Sequence, residues 1–182
     1  MTNNTTTDLN KLSFQEAIAF TGNWLDQVMT SSLSDAEILS NLIELLSHRN
    51  GVRGFFVAYL TGSCPLADHP PAIFIEAFQA VASEIKEILV KNVAMSTAMA
   101  IAHSRNQDKE QQAGSEQVKR RSQNLLQTLE ATPYGQTFQQ ERQALLDALQ
   151  TQTGDYETFL QRWQYDEEQR RAIKNSLVAI AN

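Results

Sequence analysis

Apolar residues recur every three to four positions along most of this chain, and the strict alternation of a half-buried strand is almost nowhere present. The first run opens at Ser13, which stands three residues ahead of Glu16 in the Ser-x-x-Glu spacing of a helix capping box. Phe14, Ile18, Thr21, Leu25 and Val28 then share one helical face. The same box recurs at Ser34 and Glu37, ahead of Ile38, Leu42, Leu45 and Leu46. Asn50-Gly51, residues that tolerate the left-handed cap conformation, predict the end of that second helix. The segment Val52–Leu60 carries Phe55, Phe56 and Tyr59; it is read as a helix, because a lone strand in a helical chain has no partner.

Gly62, Pro65, Pro70 and Pro71 make residues 61–71 irregular, with Asp68 or His69 expected to lead into a helix that has proline in its first turn. From Ile73 to His103 the pattern is the most regular in the chain. Phe74, Phe78, Val81, Ile85, Ile88, Asn92, Met95, Met99 and Ala102 alternate spacings of four and three, a heptad seam, although Ser83 offers a cap that would split the run in two. Asn106 to Ser115 is polar and contains Gly114, so a loop is expected there, followed by a helix from Ser115 that stops before Pro133. Phe138 to Leu149 gives the next helix. A short one follows, capped by Asp155 and bearing Tyr156, Phe159 and Trp163, and a last one is capped by Asp166 with Gln169. The expected fold is all-α, a single-domain bundle of about seven or eight helices over 11–182. The Thr/Asn-rich residues 1–10 are expected to be a disordered tail.

A chain of 182 residues can bury a sizeable core without disulfides, and its single cysteine, Cys64, cannot pair internally. That, and an N-terminus with neither a basic cluster nor an apolar run, points to the reduced cytoplasm. No stretch approaches the roughly 20 apolar residues of a membrane span. The formal net charge of −6 argues against nucleic-acid affinity and disfavours peripheral binding to anionic lipid. Basic residues cluster locally at Lys119-Arg120-Arg121 and Arg170-Arg171, where surrounding acids make a solvated helix face the simpler reading.

Candidate chemistry is sparse. His48, His69 and His103 fall in separate elements without metal-ligand spacing, so no metal or cofactor is expected; His48 and His103 suit helix C-termini through the dipole. No nucleophile motif or dinucleotide fingerprint occurs, which leans away from an enzyme. In the stretch His48 to Gly54, Arg49 and Arg53 flank glycines and offer an anion or partner contact, against the plainer reading of a helix-to-helix turn. Lys91 to Ala100 crowds small residues, which means tight helix packing or a pocket lined by Asn92, Ser96, Thr97, Met95 and Met99. Tyr156, Phe159, Trp163 and Tyr165, followed by Arg170-Arg171, are read as core before recognition surface.

Three stretches, RGFFVAYLTG (Arg53 to Gly62), KNVAMSTAMAIAH (Lys91 to His103) and FLQRWQYDEEQ (Phe159 to Gln169), resemble a family of small uncharacterised helical proteins of cyanobacteria. The resemblance implies a cytosolic or thylakoid-associated setting and transfers no catalytic residue. The expected function is a protein–protein interaction or regulatory role, with an unknown partner and self-association through Met95 and Met99. The alternative is a ligand-binding or enzymatic domain with a pocket where Arg49, Arg53, Tyr59, Asn92 and His103 meet.

Overall fold

The computed structural model describes residues 8–181. Among them nine α-helices follow in order: α1 (Phe14–Met29), α2 (Asp35–Leu46), α3 (Arg49–Thr61), α4 (Ala72–Ala80), α5 (Ala82–Arg105), α6 (Lys109–Glu130), α7 (Gln136–Thr151), α8 (Glu157–Trp163) and α9 (Glu167–Val178). No strand occurs among the described residues. The all-α single-domain bundle is therefore the fold, with one helix more than the upper expectation, because the long heptad run breaks. The break falls at Val81, whose φ of −115° and ψ of 31° separate α4 from α5 with no capping side chain, so Ser83 is not the cap.

Both Ser-x-x-Glu boxes form. The Glu16 N–H donates to Ser13 Oγ while Ser13 N–H donates to the Glu16 carboxylate at 2.8 Å, and Ser34 with Glu37 repeats the arrangement. Asp166 and Gln169 close a third box at α9. Hydrogen bonding at these caps pulls the Glu16 and Glu37 carboxyls below their ordinary values.

Several boundaries differ from the expected ones. Asn50-Gly51 does not end α2; both lie in the first turn of α3, and the break falls at Ser47-His48. His48 is not at a helix C-terminus but caps α3, its Nε2 accepting the Gly51 N–H at 3.1 Å. Gly51 is buried there, and a side chain on it would strike the Leu45 carbonyl of the preceding helix. Gly114 does not interrupt a loop. It sits inside α6, which starts six residues earlier than expected because Asp108 accepts the Gln111 N–H as N-cap. Asp155 does not cap α8, and α4 follows Pro71 directly. Of the expected tail, residues 1–7 lie outside the described residues, whereas Leu9–Lys11 form a 3₁₀ turn with Leu9 buried and its N–H on Glu44.

Two halves share one core. In the first, α1 and α3 run parallel: His48 faces Leu12, Gly54 faces Ala17, and Cys64 faces Met29. A Cβ on Gly54 would lie 2.5 Å from that of Ala17, so the absent side chain lets the two helices close on each other. Behind them Trp24, Phe55, Phe56, Tyr59, Phe74 and Phe78 pack as one aromatic cluster in stacked and edge-to-face pairs. In the second half α5 and α6 form an antiparallel hairpin turned at Asn106–Asp108, with Gln107 left-handed at φ 59°. Helix α9 lies antiparallel to α5, tied by Thr97 to Ser176, Gln169 to the Ala98 carbonyl, and Arg105 to Asp166.

Candidate functional site

The small residues of α5 are mostly packed against neighbouring helices, although Thr97 and Ala100 also border a groove toward α6 and α9. Val93, Ala94, Ser96, Thr97, Ala98 and Ala100 are buried, and Ser96 returns its hydroxyl to the Asn92 carbonyl of its own helix. One strip of α5 escapes. Ile88, Asn92, Met95 and Ala102 are half-buried, and Met99 is 37% exposed. These are the second half of the heptad seam; its first half, Phe74, Phe78, Val81 and Ile85, is fully in the core. Once the helix restarts at Val81, the core side of α5 is set by Ile85, Leu89, Val93 and Ala100, so the seam turns toward solvent as the helix proceeds.

The strip has defined flanks. On one side Ile88 and Asn92 open onto a groove of about 90 Å³ shared with Arg53, Phe56, Val57 and Val118. On the other side the Lys91 ammonium lies 5.2 Å from the Phe159 ring centre and 5.6 Å from that of Tyr156. Val57, at 41% exposed, extends the apolar surface onto α3.

The five proposed contact residues do not converge. Arg53 and Asn92 meet at the groove, where the Arg53 guanidinium also stacks 4.8 Å over the Phe14 ring. Arg49 is exposed in the first turn of α3. Tyr59 is fully buried and its hydroxyl donates to the Leu66 carbonyl at 2.6 Å, so it ties the 62–71 loop to the core. Burial pushes its hydroxyl pKa far up. His103 lies in the last turn of α5, away from the groove. Among the described residues no three His, Cys, Asp or Glu side chains gather as metal ligands, and no helix is long and apolar enough to cross a membrane.

Two arginines emerge that the sequence reading missed. Arg121, expected on a solvated face, is only 4% exposed: it pairs with Asp68 at 2.7 Å and donates to the Leu60 and Gly62 carbonyls at the end of α3. The guanidinium holds the Asp68 carboxyl below the ordinary aspartate range. Arg142 is buried against Glu130, gripping it through Nε and Nη2 at 2.6 and 2.9 Å, and donates to the Leu177 carbonyl. The signal was present: Arg121 stands three after Val118 and four before Leu125, and Arg142 four after Phe138 and three before Leu145, which are apolar-face positions. Both are structural clamps at helix ends.

A second, wider groove of about 430 Å³ runs between α5, α6 and α9, floored by Thr97, Ala100 and Ala172 and walled by Lys119, Glu116 and Arg105. It is open and mixed in polarity, without a converging set of reactive groups.

Fold and surface together define a helical-bundle protein whose polar clusters hold helix ends and whose large exposed apolar side chains, Met29, Val57, Met99, Tyr134, Trp163 and Val178, are spread over several elements. The chain belongs to the family described as "Uncharacterised conserved protein UCP020893", whose model matches residues 13–180. No curated protein and no solved structure matches it.

Proposed function

We propose that the protein is a non-catalytic helical interaction module that self-associates through the exposed strip of α5. The observation that carries this is Met99: on the helix most enclosed by the bundle, one apolar side chain stands out at 37% exposed, in register with Ile88, Asn92 and Met95. An apolar strip with a single central amide is the pattern that fixes register between paired helices. Val57 and the groove beside it widen the strip toward the ~800 Å² per partner that a stable interface buries. A cytoplasmic setting, a cyanobacterial source and an unidentified protein partner belong to the same reading, supported by the unpaired Cys64 and the resemblance of the three stretches. The charge balance speaks against nucleic acid and anionic membrane as partners.

A small-ligand role for the groove between α3 and α5 has less support. Its volume of about 90 Å³ is well under the ~300–1,000 Å³ of small-molecule sites, and Tyr59 and His103 lie elsewhere.

Static light scattering over a concentration series tests the proposal. The wild-type chain is expected to reach the mass of a dimer, and Met99→Glu to remain monomeric with unchanged circular dichroism. A wild-type monomer at every concentration would refute self-association.

A further inference from the structure

His48 stands where the chain turns from α2 into α3, and its ring is placed between a donor and an acceptor. Nε2 accepts the Gly51 N–H at 3.1 Å, which caps α3, and the same nitrogen lies 3.4 Å from the Leu12 carbonyl at the entry to α1. The ring rests so close to Gly51 that a Cβ there would come within 2.6 Å of its Cε1. A ring nitrogen that accepts a hydrogen bond carries no proton, so the neutral imidazole holds its proton on Nδ1. That atom is buried and has no hydrogen-bond partner among the described residues.

Protonation changes what Nε2 can do, because imidazolium donates from both nitrogens and accepts at neither. The N–H of the buried Gly51 then loses its cap, and the positive ring faces the positive end of α3. The Leu12 carbonyl becomes the partner of Nε2–H, through a charge-assisted bond. The charged groups on the elements packed here have other commitments. Asp8 pairs with Lys11 at 2.6 Å, Glu44 of α2 accepts the Leu9 N–H, Glu16 of α1 closes its box with Ser13, and Arg53 of α3 lies over the Phe14 ring. Arg49, the next residue along the chain, is exposed. Asp8 is the carboxylate that feels the charge on the ring: its carboxyl is held below the ordinary range first by Lys11 and also by His48. Carboxyl groups change charge at about pH 4 and histidine between about pH 5 and pH 8, so within the histidine range the ring alone switches.

We propose that His48 is a proton-operated switch between two contacts. Neutral, it holds the start of α3; protonated, it releases the Gly51 N–H and grips the Leu12 carbonyl. Order passes from the first turn of α3 to the segment that leads into α1. One hydrogen bond replaces another, so the change is local and global stability does not follow it. The switch is separate from the α5 strip and does not depend on self-association.

Heteronuclear NMR of the intact protein tests this. At the upper end of the histidine range the ring proton of His48 is expected on Nδ1, with Nε2 bare; at the lower end both nitrogens are protonated. Amide exchange at Gly51, corrected for its intrinsic pH dependence, is expected to lose about tenfold in protection between the two ends, the effect of one hydrogen bond. Amides in the middle of α6 should keep theirs. In His48→Asn the side-chain oxygen accepts at any pH, so Gly51 protection should stay level across the range. A ring proton on Nε2 at the upper end, equal Gly51 protection at both ends, or a pH dependence that persists in His48→Asn overturns the proposal. The first two readings need only the wild-type chain, so they decide the matter even where the variant does not fold.

Discussion

Arg121 shows how much one side chain can hold in this fold. It reaches from the middle of α6 to the end of α3, where the Leu60 and Gly62 carbonyls have run out of helical partners, and neutralises Asp68 in the following loop. Gln117, one turn earlier, donates to the carbonyls of Leu60, Thr61 and Gly62 as well. Replacing Arg121 with Met keeps the bulk but leaves those carbonyls and Asp68 unpaired. Because Asp68 retains some contact with solvent, the expected loss is about 3 kcal/mol, the low end for breaking a buried pair. Urea unfolding measures it, and a loss below about 1 kcal/mol would show that water replaces the guanidinium without difficulty. The basic run at 119–121 reads as one patch in the sequence, yet Arg120 is exposed and Arg121 buried, because successive residues of a helix point about 100° apart.

At the scale of the element, starts were more legible than stops. Three capping boxes announce α1, α2 and α9 by local chemistry that needs no tertiary partner. Stops are hidden because the left-handed residues beyond α5, α7 and α8 are Gln107, Gln152 and Gln164, not the glycine or asparagine that such positions favour. Glycine, conversely, appears inside helices for two unrelated reasons. Gly54 is pressed against Ala17, whereas Gly114 has no atom within 4 Å of where its Cβ would be. Gly114→Ala is therefore expected to raise stability by about 1 kcal/mol, from the lower entropy of the unfolded chain. Gly54→Ala should lower stability by more than that, since α1 and α3 would have to part. Thermal melts of the two variants, moving in opposite directions, check the pair; equal shifts would mean that the α1–α3 contact is slack.

For the whole molecule, the titrating groups set a window of stability. The carboxyls of Glu16, Glu37, Asp68 and Asp166 lie below their ordinary values, held by cap hydrogen bonds or by the arginines they pair with. A depressed carboxyl binds protons less readily folded than unfolded, so its contribution is complete above its unfolded pKa and fades as pH falls through the folded one. Tyr59 and Tyr156 are raised by burial, Tyr156 also by its hydrogen bond to Glu141, so they favour the folded state until pH passes the ordinary tyrosine value and unfolded chains begin to ionise. Urea midpoints should hold level from about pH 5 to pH 9 and fall on both sides. A midpoint that stayed constant down to pH 2 would mean these contacts contribute nothing.

The sequence by itself determined the all-helical class, the capped starts of three helices and the burial of Phe74 and Phe78 on α4, because each follows from local hydrogen bonding or from helical periodicity; that Tyr59, offered as a contact residue, is buried came from the structure. Only the tertiary structure decided where the long run breaks, which half of the heptad seam faces solvent, and that Arg121 and Arg142 are buried while Arg49 and Arg53 do not meet Tyr59 and His103. The physical reason is range. A periodic pattern says that a face must be covered but not by what, and the break at Val81 has no capping side chain in the sequence to announce it.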